Sequence, residues 1–104
     1  MTDKKISFDP KWKERFADMV ATPQEATEAV KPGQRVFIGT GCGQPQALVK
    51  AMAERHKALS DIEIVHLLTM GEAPYASQEL CACFRINSFF IAENVRGMIQ
   101  EGLG

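Results

Sequence analysis

The chain has 104 residues, 45% hydrophobic and 24% charged, the make-up of one soluble globular domain rather than a fibre or a disordered tail. Lysine and arginine number 12 against 13 aspartates and glutamates, a formal net charge of -1, so nothing in the charge balance points to nucleic acid or to an anionic membrane surface. The opening MTDKKISFDP lacks the apolar stretch of a secretion signal and no segment reaches the length of a membrane span, so the expected location is the cytoplasm.

In chain order, DPKWKERFADMVAT places Trp12, Phe16, Met19 and Val20 at helical spacing, which predicts an amphipathic helix from Pro10 to about Val20. TPQEATEAV carries a strong helix start: Thr22 as N-cap, Pro23 at the first helical position and Glu25 completing a capping box. VKPGQ then ends that helix, with Pro32-Gly33 suited to the centre of a type II turn. RVFIGT, from Arg35, is short, apolar and rich in β-formers, the pattern of a strand buried on both faces. QPQALVKAMAERHKAL follows as a helix with Leu48, Val49, Met52, His56 and Leu59 on one face and Pro45 in its first turn.

IEIVHLLT reads as a second buried strand, and MGEAPYASQELCACFR as a turn-rich passage with one short helix from Ser77. NSFFIA (Asn87–Ala92) is the expected third strand, and ENVRGMIQEGLG the closing helix, with Val95, Met98 and Ile99 inward and Gly102 near its end. Alternating strands and helices imply an α/β fold, an open parallel sheet with right-handed crossovers and helices on its faces, preceded by two helices. The helical lead-in covers about residues 10–31 and the βαβ core about 35–104. A sheet of so few strands has two open edges and little covered core, so residues 1–104 read as a single, partial domain of something larger.

Three cysteines, Cys42, Cys81 and Cys83, do not make a disulfide framework, and Cys-x-Cys lacks the spacing of zinc knuckles. His56 and His66 fall in different elements. Neither a metal site nor a resident cofactor is expected.

Candidate chemistry lies at the strand ends, where ligands collect in open parallel sheets. GTGCGQP places Gly39, Gly41 and Gly43 between the first strand and its helix, where positive φ and close approach of another group are both possible. It is not a dinucleotide fingerprint, because Gln44 stands where the third glycine belongs, and no Gly-Lys-Ser or Gly-Lys-Thr occurs to form a phosphate loop. A tight turn without any ligand remains open on pattern alone. TMGEAPY after the second strand supplies a glycine, a carboxylate (Glu72) and Tyr75, while Asn94 and Arg96 follow the third. Three successive strand ends with glycine or hydrogen-bonding groups would converge on one edge of the sheet. Against this, Glu72 could simply cap a loop, Tyr75 could pack with a wet hydroxyl, and Arg96 could pair with Glu93 or Glu101.

VKPGQRVFIGTGCGQPQALVKAM, IVHLLTMGEAPY and FRINSFFIAENVRGMIQEGLG together resemble the amino-terminal end of the acetyl-CoA hydrolase/transferase family, in unbroken order from about residue 12 to residue 104. That family lies within the class I CoA-transferases and includes acetate, succinate and 4-hydroxybutyrate CoA-transferases. The glycine loop alone is weak evidence, whereas its combination with MGEAPY and the FR-N-FF pattern at these intervals is specific.

The resemblance implies a long enzyme of two similar α/β halves with the active site between them. A glutamate attacks the acyl-CoA thioester, CoA thiolate re-attacks the mixed anhydride, and the resulting glutamyl-CoA thioester passes CoA to a small carboxylate, or to water in the hydrolases. It implies further that the nucleophilic glutamate lies downstream, so that no catalytic residue is expected in this chain. Gly39, Gly41, Gly43, Gln44, Pro45, Met70, Gly71, Glu72, Asn94 and Arg96 would form the side that faces substrate and CoA. The glycine-loop N–H groups are of the kind that stabilise oxyanions, Glu72 would shape its loop, and Cys42 would not be a nucleophile. Coenzyme A enters as a substrate, and the expected partners are acyl-CoA, a small carboxylate, the carboxyl-terminal half and further copies in a homo-oligomer. The alternative is a small α/β module that binds an anion or a protein without catalysis.

Overall fold

The computed structural model describes residues 8–104. The lead-in is less regular than its apolar spacing predicts. α1 (Trp12–Arg15) is a single turn, followed by a 3-10 turn at Ala17–Met19. Trp12, Phe16, Met19 and Val20 are all exposed. An isolated helix this short is marginal in water, and among the described residues its stripe has no surface to pack on. α2 (Pro23–Thr27) has the expected N-cap and first turn, the Thr22 hydroxyl accepting the Glu25 N–H at 3.1 Å and Pro23 in the first turn. Among the described residues the Glu25 carboxylate makes no return bond to the Thr22 N–H, so the capping box is half formed. The Lys31–Gln34 turn closes with Gln34 N–H donating to the Lys31 carbonyl at 3.3 Å, and Gly33 takes the positive φ of 81° that a type II turn requires.

β1 (Arg35–Phe37), β2 (Ile62–His66) and β3 (Phe84–Ser88) form one parallel sheet in the order β1-β2-β3. Val36, Ile64 and Ile86 stand in register, as do Arg35, Glu63 and Arg85. The third strand starts and ends earlier than Asn87–Ala92. Phe84 and Ile86 alternate with polar residues and match Ile62 and Ile64, so pairing with β2 sets the strand. The apolar run Phe89-Phe90-Ile91 that suggested a buried strand lies exposed just beyond it. The segment from Ser77 forms successive turns rather than a helix, with Leu80 N–H donating to Ser77 O and Cys83 N–H to Leu80 O.

α3 (Gln46–Glu54) connects β1 to β2, and α4 (Glu93–Gln100) follows β3. α3 buries Val49, Ala51, Met52 and Ala53, whereas Leu48 is 40% exposed. Val49 and Met52 of α3 and Val95 and Met98 of α4 join Ile38, Ile62, Ile64, Phe84 and Ile86 in a single apolar cluster. Both helices therefore lie on the same face of the sheet, and Ile99 packs on that cluster's margin. The other face carries Arg35, Phe37, Glu63, Val65, Arg85 and Asn87, none of them buried. β1 and β2 are thus covered on one face only, not on both as their apolar runs predicted. α2 is tied to α3 by the Arg55 guanidinium, which donates to the carbonyls of Thr27 and Val30. Among the described residues no helix is long and apolar enough to cross a membrane.

Candidate functional site

The sheet pattern continues into the loops at the carboxyl ends of the strands. Ile38 N–H donates to Val65 O at 2.9 Å and Gly41 N–H to Leu68 O at 3.0 Å, which lays the glycine loop beside the loop after β2. On the other side, Phe89 N–H donates to His66 O at 3.0 Å and Phe90 N–H to Leu67 O at 2.8 Å.

Gln44 joins the first two loops through its side chain. Its Oε1 accepts from Thr69 Oγ1 at 2.6 Å and from Met70 N–H at 3.2 Å, while its Nε2 donates to the Glu72 carbonyl at 3.2 Å. An amide side chain is suited to this, because it presents acceptor and donor together. Gln46 Nε2 adds a bond to Met70 O at 3.2 Å, and Asn94 Nδ2, from the first turn of α4, donates to Gly71 O at 2.8 Å. One wall thus contains the ends of all three strands.

Between the second and third loops an open cleft of about 460 Å³ is lined by Thr69, Met70, Gly71, Ala92, Glu93 and Asn94. Among the described residues Asn94 Oδ1 is buried without a hydrogen-bond partner, and no side chain caps the first turn of α4. Uncapped N–H groups at a helix start can donate to a ligand that accepts. Of the anticipated residues, Met70, Gly71 and Asn94 line this cleft, and Gln44 braces it from behind. Pro45, one residue before α3, faces instead an apolar groove between α2, α3 and β1. Glu72 has an exposed carboxylate, and Arg96 is exposed and makes no ion pair among the described residues.

The glycines divide in role. Gly41 and Gly71 hold positive φ, 60° and 97°, and a Cβ on Gly71 would collide with the Gln46 amide. Gly39 is closely packed, since a Cβ there would make a tight contact 3.3 Å from Gly43 O. Gly43 does not adopt positive φ, and a Cβ on it would meet nothing within 4 Å. The N–H groups of Gly41, Gly43 and Gln44 already donate within the fold, to Leu68, Thr40 and Gly41 carbonyls. These three are not the open oxyanion donors that the bare loop suggested.

Directly beneath the wall lie three buried polar side chains, His66, Thr69 and Tyr75. Ser88 Oγ donates its one proton to Phe90 O at 2.6 Å, so His66 Nδ1, 3.1 Å away, carries the hydrogen of that contact. His66 Nε2 and the Tyr75 hydroxyl have no hydrogen-bond partner among the described residues. Burial holds the His66 imidazole below its ordinary range and pushes the Tyr75 phenol up, the neighbouring Thr69 hydroxyl opposing the latter. Tyr75 therefore has no wet hydroxyl. Sequence reasoning passed over Thr69 altogether. Its signal was its place three residues past a strand that ends in a buried histidine.

Comparison with known proteins agrees with this architecture. The profile of the acetyl-CoA hydrolase/transferase N-terminal domain matches residues 3–104, so the chain belongs to that family. It is 26% identical over 91 residues to the 4-hydroxybutyrate coenzyme A transferase of Clostridium kluyveri, covering 88% of this chain and 21% of that protein. To the succinyl-CoA:acetate/propanoyl-CoA:succinate CoA transferase of Fasciola hepatica it is 36% identical over 90 residues, covering 85% and 18%. The crystal structure of RipA from Yersinia pestis superposes with a TM-score of 0.75 at 23% identity, over 88% of this chain and 22% of that one. The chain spans about a fifth of the length of these relatives.

Proposed function

We propose that this chain forms the substrate-side wall of an active site that moves CoA from an acyl-CoA to a small carboxylate of the acetate type, or to water. The carrying observation is the pair of amide side chains, Gln44 and Asn94, which fix the loops after β1, β2 and β3 into one wall, in a chain whose relatives are named CoA transferases. In this reading a glutamate outside residues 1–104 attacks the thioester carbonyl and expels CoA thiolate, forming a mixed anhydride. The thiolate then attacks the glutamyl carbonyl and releases the acyl carboxylate, leaving glutamyl-CoA. An incoming carboxylate or water reverses or completes the sequence.

The role of this chain is positioning. Gly43 leaves room for the acyl group, and Asn94 with the first turn of α4 offers polar contacts at the cleft. Glu72 shapes its loop and does not carry the acyl group. The reaction needs no resident cofactor, coenzyme A being a substrate, and it takes place in the cytoplasm in a homo-oligomer that contains the other half of the enzyme.

Release of free thiol from acetyl-CoA tests the division of labour. The 104-residue chain is expected to release none, with or without acetate. A chimera in which it replaces the matching segment of the Clostridium kluyveri transferase is expected to turn over. Turnover by the chain alone that vanishes in Glu72→Gln would make Glu72 the nucleophile and overturn the proposal.

A further inference from the structure

Of the buried side chains of β2, only His66 is polar. Ile62 and Ile64 precede it on the same face, and all three are wholly withdrawn from solvent. Burying an imidazole in an aliphatic row costs free energy unless its polar atoms are used. Its register partner on β3 is Ser88, and the two side chains meet at 3.1 Å.

That contact leads out to the cleft. Phe90 O can only accept, so Ser88 supplies the proton of their 2.6 Å bond, and His66 Nδ1–H donates to Ser88 Oγ. The bond from Ser88 to Phe90, two residues on, holds the bend by which the chain leaves β3. Ala92, two residues further, immediately precedes α4, and Ala92, Glu93 and Asn94 line the cleft together with Thr69, Met70 and Gly71. The His66 ring also lies beside Tyr75, with ring centroids 6.4 Å apart. Tyr75 in turn neighbours the Thr69 hydroxyl that is bonded to Gln44. The histidine thus stands between the joined first and second loops and a third loop whose far end Asn94 ties to Gly71 O.

We infer that His66 is a positioning residue for the cleft: with its proton on Nδ1 it fixes Ser88, and through the Ser88–Phe90 bond it sets where Ala92 to Asn94 stand for the small carboxylate. The inference rests on the cleft being the substrate-side wall proposed above. His66 itself is buried beneath that wall and does not reach the ligand. The third loop offers contacts made equally before and during reaction, so loosening it weakens binding and leaves the chemical steps nearly unchanged.

The test uses the Clostridium kluyveri chimera, assayed at a temperature where every variant is folded by circular dichroism. Ser88→Ala removes the hydroxyl that relays the histidine, and should raise KM for acetate about tenfold while kcat changes by less than about twofold. Ser88→Thr keeps the hydroxyl and should restore the parent KM. His66→Leu continues the aliphatic row of Ile62 and Ile64 without the donor, and should match Ser88→Ala. In the 104-residue chain, nitrogen NMR of the imidazole should place the ring proton of His66 on Nδ1. A role in folding alone would lower Tm with KM unchanged. That result, or a ring proton on Nε2, overturns the inference and leaves the proposed wall standing. A parent chimera that releases no thiol from acetyl-CoA in the presence of acetate overturns the wall, and the inference with it.

Discussion

Gln44 and Thr69 meet through a 2.6 Å hydrogen bond between two side chains almost wholly withdrawn from solvent. They are 25 residues apart in sequence, and the bond fixes the glycine loop on the loop after β2. Removing the amide strands the Thr69 hydroxyl and the Met70 N–H together. A buried unsatisfied group costs about 1–3 kcal/mol, so Gln44→Ala should destabilise by about 2 kcal/mol. At 4–8 °C per kcal/mol in a domain of this size, Tm should fall by roughly 8–16 °C. Thermal unfolding followed by circular dichroism reads this, and an unchanged Tm would show that the connection does not hold the wall together.

Two glycine substitutions should have opposite signs. Gly71→Ala meets both a φ of 97° and the Gln46 amide, and should cost about 1–3 kcal/mol. Gly97 sits inside α4 with open space around it, so Gly97→Ala should stabilise by about 0.5–1 kcal/mol through better helix propensity. Paired urea titrations decide the matter. Equal effects would mean that the loop conformation at Gly71 is not the one described.

Stability should depend on pH through His66. The folded imidazole is held below its ordinary value by burial, so the unfolded chain binds more protons as pH falls. The contribution is full above about pH 6.5 and is lost as pH drops from there through the folded value. Between those limits the unfolding free energy of the parent should fall with pH more steeply than that of His66→Asn, as measurements at pH 7 and pH 5 would read. Parallel slopes would show that the imidazole is accessible and protonated in the fold.

The parts of the fold readable from sequence are those set by local chemistry. Thr22, Pro23 and Glu25 specify a helix start whatever surrounds them, and Pro32-Gly33 specifies its turn. The limits of β3 were not readable, because Phe89-Phe90-Ile91 is more apolar than the true strand and only pairing with Ile62 and Ile64 sets the register. The same ambiguity hid the bare face: Phe37 and Val65 look like core until the neighbours that would cover them prove absent among the described residues. At the site, the glycines marked the loop, but not which of them needs positive φ. Gly41 does and Gly43 does not, a difference made by the 3-10 turn at Gly41–Gly43. Nor could spacing show that Gln44 works through its side chain, since all of its partners lie on the loop after β2.

The most direct measurement uses Gly43, the loop glycine whose own chain leaves it free space and an ordinary φ. A side chain there should not disturb this fold, so any effect on turnover reports a group that approaches the loop from outside residues 1–104. In the Clostridium kluyveri chimera, Gly43→Val should keep Tm within about 2 °C, less than 1 kcal/mol for a domain. Its kcat/KM for acyl-CoA should fall at least tenfold, about 1.4 kcal/mol of lost transition-state stabilisation. Cys42→Ala should keep most of the activity. Full activity in Gly43→Val would contradict the account, because the loop would then not face the reacting acyl group.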